Sequence, residues 1–177
     1  DRKVCRKNCG ADRSHLSKGT LAMDSVDSLL TRLEQLNNIG AALSKERDIT
    51  RLLEQILLAA KAITHADGGT LYRMREDGQA LCFEILRTDS LHIAMGGSSG
   101  QAISFPDLPL RDASGAPNDH LVAAYAAIHK ETVNIADAYT EPDFDFSGTR
   151  QFDERTGYRS QSFLTVPMKD HEGAVIG

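Results

Sequence analysis

Residues 70–87 read TLYRMREDGQALCFEILR and have the pattern of a β-hairpin. Two runs that alternate apolar and polar residues flank an Asp-Gly turn at 76–79. An Asp-Gly pair favours the tight turns that join antiparallel strands, because these turns require positive φ. The stretch therefore predicts two antiparallel strands, and the alternation predicts that Leu81, Phe83 and Ile85 share one face of the second strand.

Further short strands are predicted along the chain, with helices before and between them. The strand pattern recurs at 91–95, 132–135, 162–168 and from 174 onward. Helical patterns occupy 25–43, 49–64 and 121–129, with one helical turn at 152–155. Asp48 or Ser44 is the expected N-cap of the second helix. This order indicates an α+β fold, an antiparallel sheet flanked by helices with a long N-terminal helix.

The first helix has a second possible role as an interface. Its apolar residues and Gly40 recur at 3-4-3-4-3 spacing over 26–43, which is the seam pattern of a coiled coil. The stripe is equally compatible with packing on its own domain and with pairing to a second copy. Both interpretations stay open at this point, and a homodimer through this helix is predicted.

The charge distribution argues against a nucleic-acid partner, and the short apolar runs argue against a membrane span. The chain of 177 residues has a net charge of −5, although 1–20 hold six Lys/Arg against two acids. We predict a basic, flexible leader at 1–22 and one domain at 23–177 with an acidic surface, which does not suit nucleic acid. The longest apolar run, 121–128, is far shorter than the roughly 20 residues that span a bilayer. With three cysteines and no secretion signal, a cytoplasmic protein is predicted.

Catalytic and metal-binding patterns are weak. Cys5, Cys9 and His15 have loose ligand-like spacing but lack the fourth ligand of a structural zinc site. Cys82 has no neighbouring cation in the sequence that would activate its thiol. We therefore predict no metal and no enzymatic activity, with a redox role for Cys82 as a minor alternative.

The densest group of polar and aromatic residues is 144–160, FDFSGTRQFDERTGYRS. Arg150 and Phe152 lie here, and Asp153 and Thr156 are three residues apart, so they share a face of a helical turn. A carboxylate can accept hydrogen bonds from a heterocycle, a hydroxyl can bind sugar or phosphate oxygens, and a phenyl ring can stack on a flat ligand. Two interpretations stay open, a ligand pocket or a short helix capped by Asp153.

Several of these segments together resemble the C-terminal half of a GAF domain, and are most similar to those of cyclic-nucleotide phosphodiesterases and bacterial HD-GYP-type signalling proteins. The segments are VNIADAY at 133–139, Phe144, DERTGYRS at 153–160, FLTVPMK at 163–169 and VIG at 175–177. The resemblance covers about residues 28–177. It implies a GAF-like central antiparallel sheet of about six strands and a buried pocket for a small molecule.

The resemblance also implies ligand-binding residues. Positions that contact the nucleotide in cyclic-nucleotide-binding members match residues with suitable oxygen groups here, namely Thr70, Thr149, Asp153, Thr156 and Ser160. A Phe-Asp pair of those members falls on Leu86-Arg87, where Arg87 is expected to meet an anionic ligand. A long stretch at 101–120 replaces a short segment that closes the pocket in those members.

The implied function is that of a small-molecule-binding, sensory GAF domain. It would pass ligand occupancy to an attached signalling effector domain or to a dimer partner. The expected ligand is a cyclic nucleotide or another small anionic metabolite, and no other cofactor is predicted. The alternative is a dimerisation module that binds no ligand.

Overall fold

The computed structural model describes residues 17–177, and it describes side-chain surroundings at Val26 and from Ser28 onward. Residues 1–16, which contain most of the predicted leader together with Cys5, Cys9 and His15, lie outside the described residues. The chain divides between Lys45 and Glu46 into two compact units.

Ten helices and strands, and one 3-10 turn, follow each other along the described chain. They are α1 Ser17–Leu43, α2 Ile49–Thr64, β1 Gly68–Met74, β2 Ala80–Thr88, β3 Ile93–Gly96, the 3-10 turn Gly97–Ser99, β4 Leu108–Pro109, α3 Val122–His129, β5 Val133–Ile135, α4 Ser147–Thr156 and β6 Phe163–Thr165. The predicted hairpin and the helices α2 and α3 are therefore present close to their expected positions.

Helix α1 belongs to the first unit and carries an exposed apolar stripe. It begins at Ser17, earlier than the predicted start at residue 25, because extending an existing helix costs much less than nucleating one. Large apolar side chains along it are each more than half exposed, namely Val26, Leu29, Leu30, Leu33 and Leu36. Four of these five belong to the predicted seam.

Helix α2 opens the second unit. Of the two candidate caps, Asp48 is the N-cap, and its carboxylate accepts hydrogen bonds from the backbone N–H groups of Thr50 and Arg51 at 2.9 and 3.2 Å. The helix packs Leu57 against Leu71 of β1 and Ile85 of β2, which form one core cluster.

The strands form two antiparallel sheets. In the first, of four strands, β1 pairs along the length of β2, β3 pairs with the end of β2 at residues 85–88, and β4 pairs with its start at residues 80–81. In the second, of two strands, β5 pairs with β6. The backbone N–H of Met74 donates to Ile176 O and that of Ile176 donates to Met168 O, both at 2.9 Å, so the C-terminal residues connect β1 to the segment after β6. The predicted α+β class, with an antiparallel sheet flanked by helices, is confirmed.

A bulge in the hairpin corrects the predicted face of β2. Leu71 pairs with Ile85 but Tyr72 pairs with Phe83, so Glu84 is an extra residue in β2. As a result, Phe83 and Ile85 lie on opposite faces, and the prediction that they share one face is wrong. Ile85 faces α2, whereas Phe83 lies on the other face beside Tyr72.

A second core cluster lies around β5 and α4. Ile135, Ala138 and Phe146 are buried there, and Phe163 of β6 packs against them with its ring centre 5.2 Å from that of Phe146. This cluster fixes the start of α4 and so positions the polar segment predicted to cover a ligand.

Candidate functional site

Asp153 is the buried polar centre of the 140–160 segment. It belongs to α4, and the residue is only 3% exposed. The Tyr139 hydroxyl and the Ser160 backbone N–H donate to Oδ2 at 2.8 and 2.7 Å, and the Ser160 hydroxyl donates to Oδ1 at 2.8 Å. Asp153 does not cap α4, whose N-cap position is Phe146. Instead, its carboxylate joins the end of α4 to Tyr139 and Ser160.

The other predicted residues of α4 differ in exposure. Thr149 and Phe152 are half-buried, and their helical spacing places them on the same face as Asp153. Thr156 follows on that face but is exposed at the end of the helix, where its hydroxyl donates to Phe152 O at 2.8 Å. Arg150 is exposed as well; its Nη2 donates to Ala138 O at 3.4 Å, and its guanidinium carbon lies 5.5 Å from the centre of the Tyr139 ring. The structure therefore brings Ser160 into contact with Asp153, with Thr149 and Phe152 beside it on α4, whereas Thr156 and Arg150 are exposed.

Tyr139 is a central residue of this cluster to which the sequence analysis assigned no role. Its hydroxyl binds Asp153, and the Arg159 guanidinium carbon lies 3.6 Å from the centre of its ring. The hydrogen bond to Asp153, together with partial burial, raises the pKa of Tyr139 above its ordinary value. Its position in the VNIADAY segment, which carries the resemblance, could have marked Tyr139 as a candidate site residue. Its spacing from Asp153 along the chain does not predict that the two side chains are in contact.

The chain after α4 is attached to the start of β1. The Tyr158 hydroxyl donates to Asp67 Oδ2 at 2.8 Å, and Ser90 donates its hydroxyl to the same oxygen at 2.7 Å. Hydrogen bonds from Ser90 and then Tyr158 lower the pKa of Asp67. Loss of hydration, followed by the bond to Asp67, raises the pKa of Tyr158 to about 12.

Arg87 lies on the face of the sheet that packs against α2. Its Nε and Nη2 donate to Glu54 Oε1, its Nη1 donates to Leu86 O and Met95 O, and its Nη2 also donates to Gly96 O. All five donors of the guanidinium are thus engaged, and the residue is buried. The hydrogen bond from Ser98, and then the contacts of Arg87, lower the pKa of Glu54 despite its partial burial. An anionic ligand could meet Arg87 only if the side chain left this network.

The opposite face of the sheet carries Thr70 and Tyr72. Alternation along β1 places both away from α2, since Gly69 and Leu71 face that helix. Within the described part of the chain, neither hydroxyl has a hydrogen-bond partner. Burial raises the pKa of Tyr72 to about 12.

Aromatic rings complete this face. The Tyr72 ring centre lies 4.8 Å from that of Phe83, which lies 5.3 Å from that of Phe105 in the 101–120 stretch. The face therefore combines flat apolar rings with two free hydroxyls. Thr70 was predicted as a site residue and Tyr72 was not. The alternation of strand β1 could have indicated Tyr72, because residues two apart in a strand share a face.

Two open grooves lie elsewhere on the second unit. One of about 390 Å³ is lined by Arg73, Arg75 and Cys82, among others, and one of about 410 Å³ is lined by apolar residues that include Leu53 and Met168. Neither is lined by the 140–160 segment. The Cys82 thiol in the first groove donates to Arg73 O at 3.2 Å.

Among the described side chains, those of Val26 and residues 28–177, no three His, Cys, Asp or Glu are grouped so that they could hold a metal ion. No helix in the described residues 17–177 has the length and apolar character needed to cross a membrane.

The fold and the arrangement of its polar residues define a GAF domain. The family profile described as GAF domain matches residues 48–177, and the chain belongs to this family of regulatory small-molecule-binding domains. The match begins later than the resemblance at residue 28, so α1 lies outside it.

Named relatives agree with this assignment. A cGMP-specific 3',5'-cyclic phosphodiesterase of Drosophila sechellia is 27% identical over 139 residues, which cover 76% of this chain and 10% of that protein. The chain thus spans about a tenth of the length of this curated relative.

Solved structures share the fold. The GAF domain from Acinetobacter phosphoenolpyruvate-protein phosphotransferase has a TM-score of 0.56 and 16% identity, over 83% of this chain and 73% of that one. A free methionine-R-sulfoxide reductase from Neisseria meningitidis has a TM-score of 0.52 and 17% identity, over 80% of this chain and 66% of that one. At such identities the likeness concerns the fold alone.

Proposed function

We propose that the chain is a non-catalytic sensory domain that binds a small molecule between the face of β1 and β2 bearing Thr70 and the 140–160 segment. Ligand occupancy would then alter an effector domain of the parent protein or a second copy of the chain. The observation that carries the proposal is the pair of unpartnered hydroxyls, Thr70 and Tyr72, on a half-buried aromatic face. Both residues are half-buried, so their hydroxyls are free to bond a ligand that packs on the rings beside them.

One contact supports a position of the 140–160 segment near this face. Tyr158 is bound to Asp67, which directly precedes β1, so the end of the segment lies at the end of the sheet next to Thr70. Phe152 and Thr149 are half-buried on α4, on the side of Asp153. We assign Asp153 and Ser160 the role of holding this segment in shape, and Thr149 and Phe152 that of contacting the ligand.

A cyclic nucleotide is the first ligand class to test. The proposal draws on the names of the curated relatives, which are cGMP-specific phosphodiesterases. A purine could stack on the aromatic face, and the hydroxyls of Thr70 and Tyr72 could bind its polar edge. Small anionic metabolites form the second class, with Arg150 at the rim of the segment as the nearest exposed cation on α4.

The proposal is tested by thermal unfolding and calorimetric titration with cGMP and cAMP. A ligand at 100 times its dissociation constant should stabilise the domain by about 2.7 kcal/mol. Thr70→Val keeps the side-chain shape and removes the hydroxyl, and should weaken binding about fivefold, as expected for one neutral hydrogen bond. Thr132→Val, at an exposed position before β5, is the matched control and should bind like the unchanged chain.

A dimerisation module without a ligand is the second candidate function. It is favoured by the three hydrogen bonds that already occupy the Asp153 carboxylate and by the exposed stripe of α1. Absence of stabilisation by any nucleotide, together with a stable dimer, would support this candidate over the sensory one. For both candidate functions we propose a homodimer through α1 and a cytoplasmic location.

A further inference from the structure

A chain of polar contacts connects the segment after α4 to the last turn of α2. Tyr158 donates to Asp67 Oδ2 at 2.8 Å. Ser90 donates its backbone N–H and its hydroxyl to the same carboxylate, at 3.1 and 2.7 Å. The backbone N–H of Asp89 donates to Asp67 O at 3.0 Å, and the Asp89 carboxylate accepts a hydrogen bond from Lys61 Nζ at 2.6 Å.

Lys61, in α2, is the last residue of this chain of polar contacts. Its side chain is only 7% exposed, whereas that of Asp89 is 75% exposed. A buried ammonium is costly unless it is paired, so Lys61 depends on the position of Asp89. Gly69 leaves room for the Lys61 stem, because a Cβ at that position would lie 3.1 Å from Lys61 Cγ. The carbonyl oxygen of Lys61 accepts a hydrogen bond from the backbone N–H of His65, the C-cap residue, so Lys61 also takes part in the end of the helix.

We propose that Tyr158 is a positioning residue that couples the 140–160 segment to the C-terminal turn of α2 through Asp67, Asp89 and Lys61. The coupling rests on the proposed function, since a ligand under the segment is what would move Tyr158. The Tyr158 hydroxyl is bonded to a carboxylate, which makes this contact stronger than a bond between neutral groups. If the contact is lost, the Asp67 carboxylate loses one of its three donors, and the β2–β3 turn that holds Asp89 is less firmly fixed.

The coupling must be reciprocal. A change at Lys61 should therefore affect the segment as strongly as a change at Tyr158 affects α2. Two backbone amides report on the two ends, those of His65, which is bonded to Lys61 O, and Ser160, which is bonded to Asp153 Oδ2. Neither amide belongs to Tyr158 or Asp67.

Hydrogen exchange of the unliganded chain tests the coupling. Tyr158→Phe removes only the hydroxyl and should speed exchange at both His65 and Ser160 by about tenfold, as expected for the loss of one charge-assisted hydrogen bond. Lys61→Met keeps an unbranched stem and removes the ammonium, and should likewise speed exchange at Ser160. In the double variant the effects should not add, because both changes break one path.

Tyr125→Phe is the matched control. The Tyr125 ring packs against those of His129 and Phe144, and phenylalanine retains these ring contacts. It should leave exchange at both amides unchanged. Faster exchange at Ser160 with unchanged His65 in Tyr158→Phe, or additive effects in the double variant, would overturn the coupling. Because no ligand is added, either result is independent of whether the chain binds a nucleotide.

Discussion

At the scale of single residues, the sequence singled out Asp153 but left its role open. The two interpretations were a ligand contact and a helix cap. In the structure the carboxylate accepts hydrogen bonds from Tyr139 and Ser160, which are 14 and 7 residues away along the chain. Contacts at such separations depend on how β5, α4 and β6 pack, so local spacing could not predict them.

Asp153→Asn tests this role. An asparagine presents only one acceptor oxygen, and its NH2 group would face a donor of Tyr139 or Ser160, so buried donors would be left without partners. We expect the free energy of unfolding to fall by about 2 to 4 kcal/mol. Urea denaturation followed by circular dichroism measures it.

The control for this change is Glu154→Gln at the next position, which is exposed and should alter stability by less than about 0.5 kcal/mol. Equal stability of the two variants would show that the bonds to Asp153 do not hold the segment.

At the scale of helices and strands, most of the sequence expectations hold, and the differences have local causes. The β1–β2 hairpin follows from its alternation and its Asp-Gly turn, but the bulge at Glu84 reverses the face of Ile85 relative to Phe83. A single inserted residue leaves the sequence pattern almost unchanged, so alternation alone cannot detect it. Because Arg87 follows Ile85 by two residues, the reversal also places Arg87 on the α2 face, where it binds Glu54.

Helix α4 shows a second local difference. One turn at 152–155 was expected, whereas the helix extends over Ser147–Thr156. Gly148 and the mostly polar composition hide the helical pattern, while burial of Phe146 in the second core cluster fixes its start. The helix ends at Gly157, which has φ of 69°, a left-handed conformation that glycine adopts without strain.

Helix α1 provides a prediction at this scale. If a second copy covers the exposed stripe, Leu33→Glu should place a charge in the seam and shift the chain from dimer to monomer. Sedimentation velocity at several concentrations measures the change. Gln35→Glu introduces a charge at an exposed position off the stripe and should leave the dimer intact. Identical masses for both variants would contradict a homodimer through α1.

At the scale of the whole molecule, the sheet separates two polar systems. One is the buried Arg87–Glu54 pair on the α2 side, and the other is the pair of free hydroxyls on the opposite face, Thr70 and Tyr72, which the proposed ligand would contact. The resemblance to GAF domains predicted the class of fold, and the ligand site that it implies stays a prediction. It could not assign Arg87 to a side, because that depends on the bulge.

Acid sensitivity is expected for the whole domain. Hydrogen bonds from nearby serines lower the pKa values of four carboxyl groups below their ordinary values of 4.5 for Glu and 3.8 for Asp, namely Glu54, Asp67, Asp112 and Asp145. The unfolded chain then binds more protons than the folded one as the pH falls. The contribution of these groups is therefore present above their ordinary pKa values and is lost as the pH falls through the lowered ones.

Chemical denaturation at a series of pH values between 7 and 3 checks this expectation. Glu54→Gln removes one of the titrating groups and should make the decline less steep. Stability that stays constant or rises on acidification would contradict the assigned hydrogen bonds.

The central claim is that a small molecule binds between the sheet face of Thr70 and the segment that contains Ser160. An NMR titration of the isotope-labelled chain with cGMP, repeated with cAMP, locates binding directly. The account predicts that one of the two nucleotides shifts the amide signals of Thr70, Tyr72, Thr149 and Ser160 together and saturably. Shifts confined to the grooves at Cys82 or Met168 would contradict the proposed site, and no shifts with either nucleotide would contradict the proposal of a cyclic-nucleotide ligand.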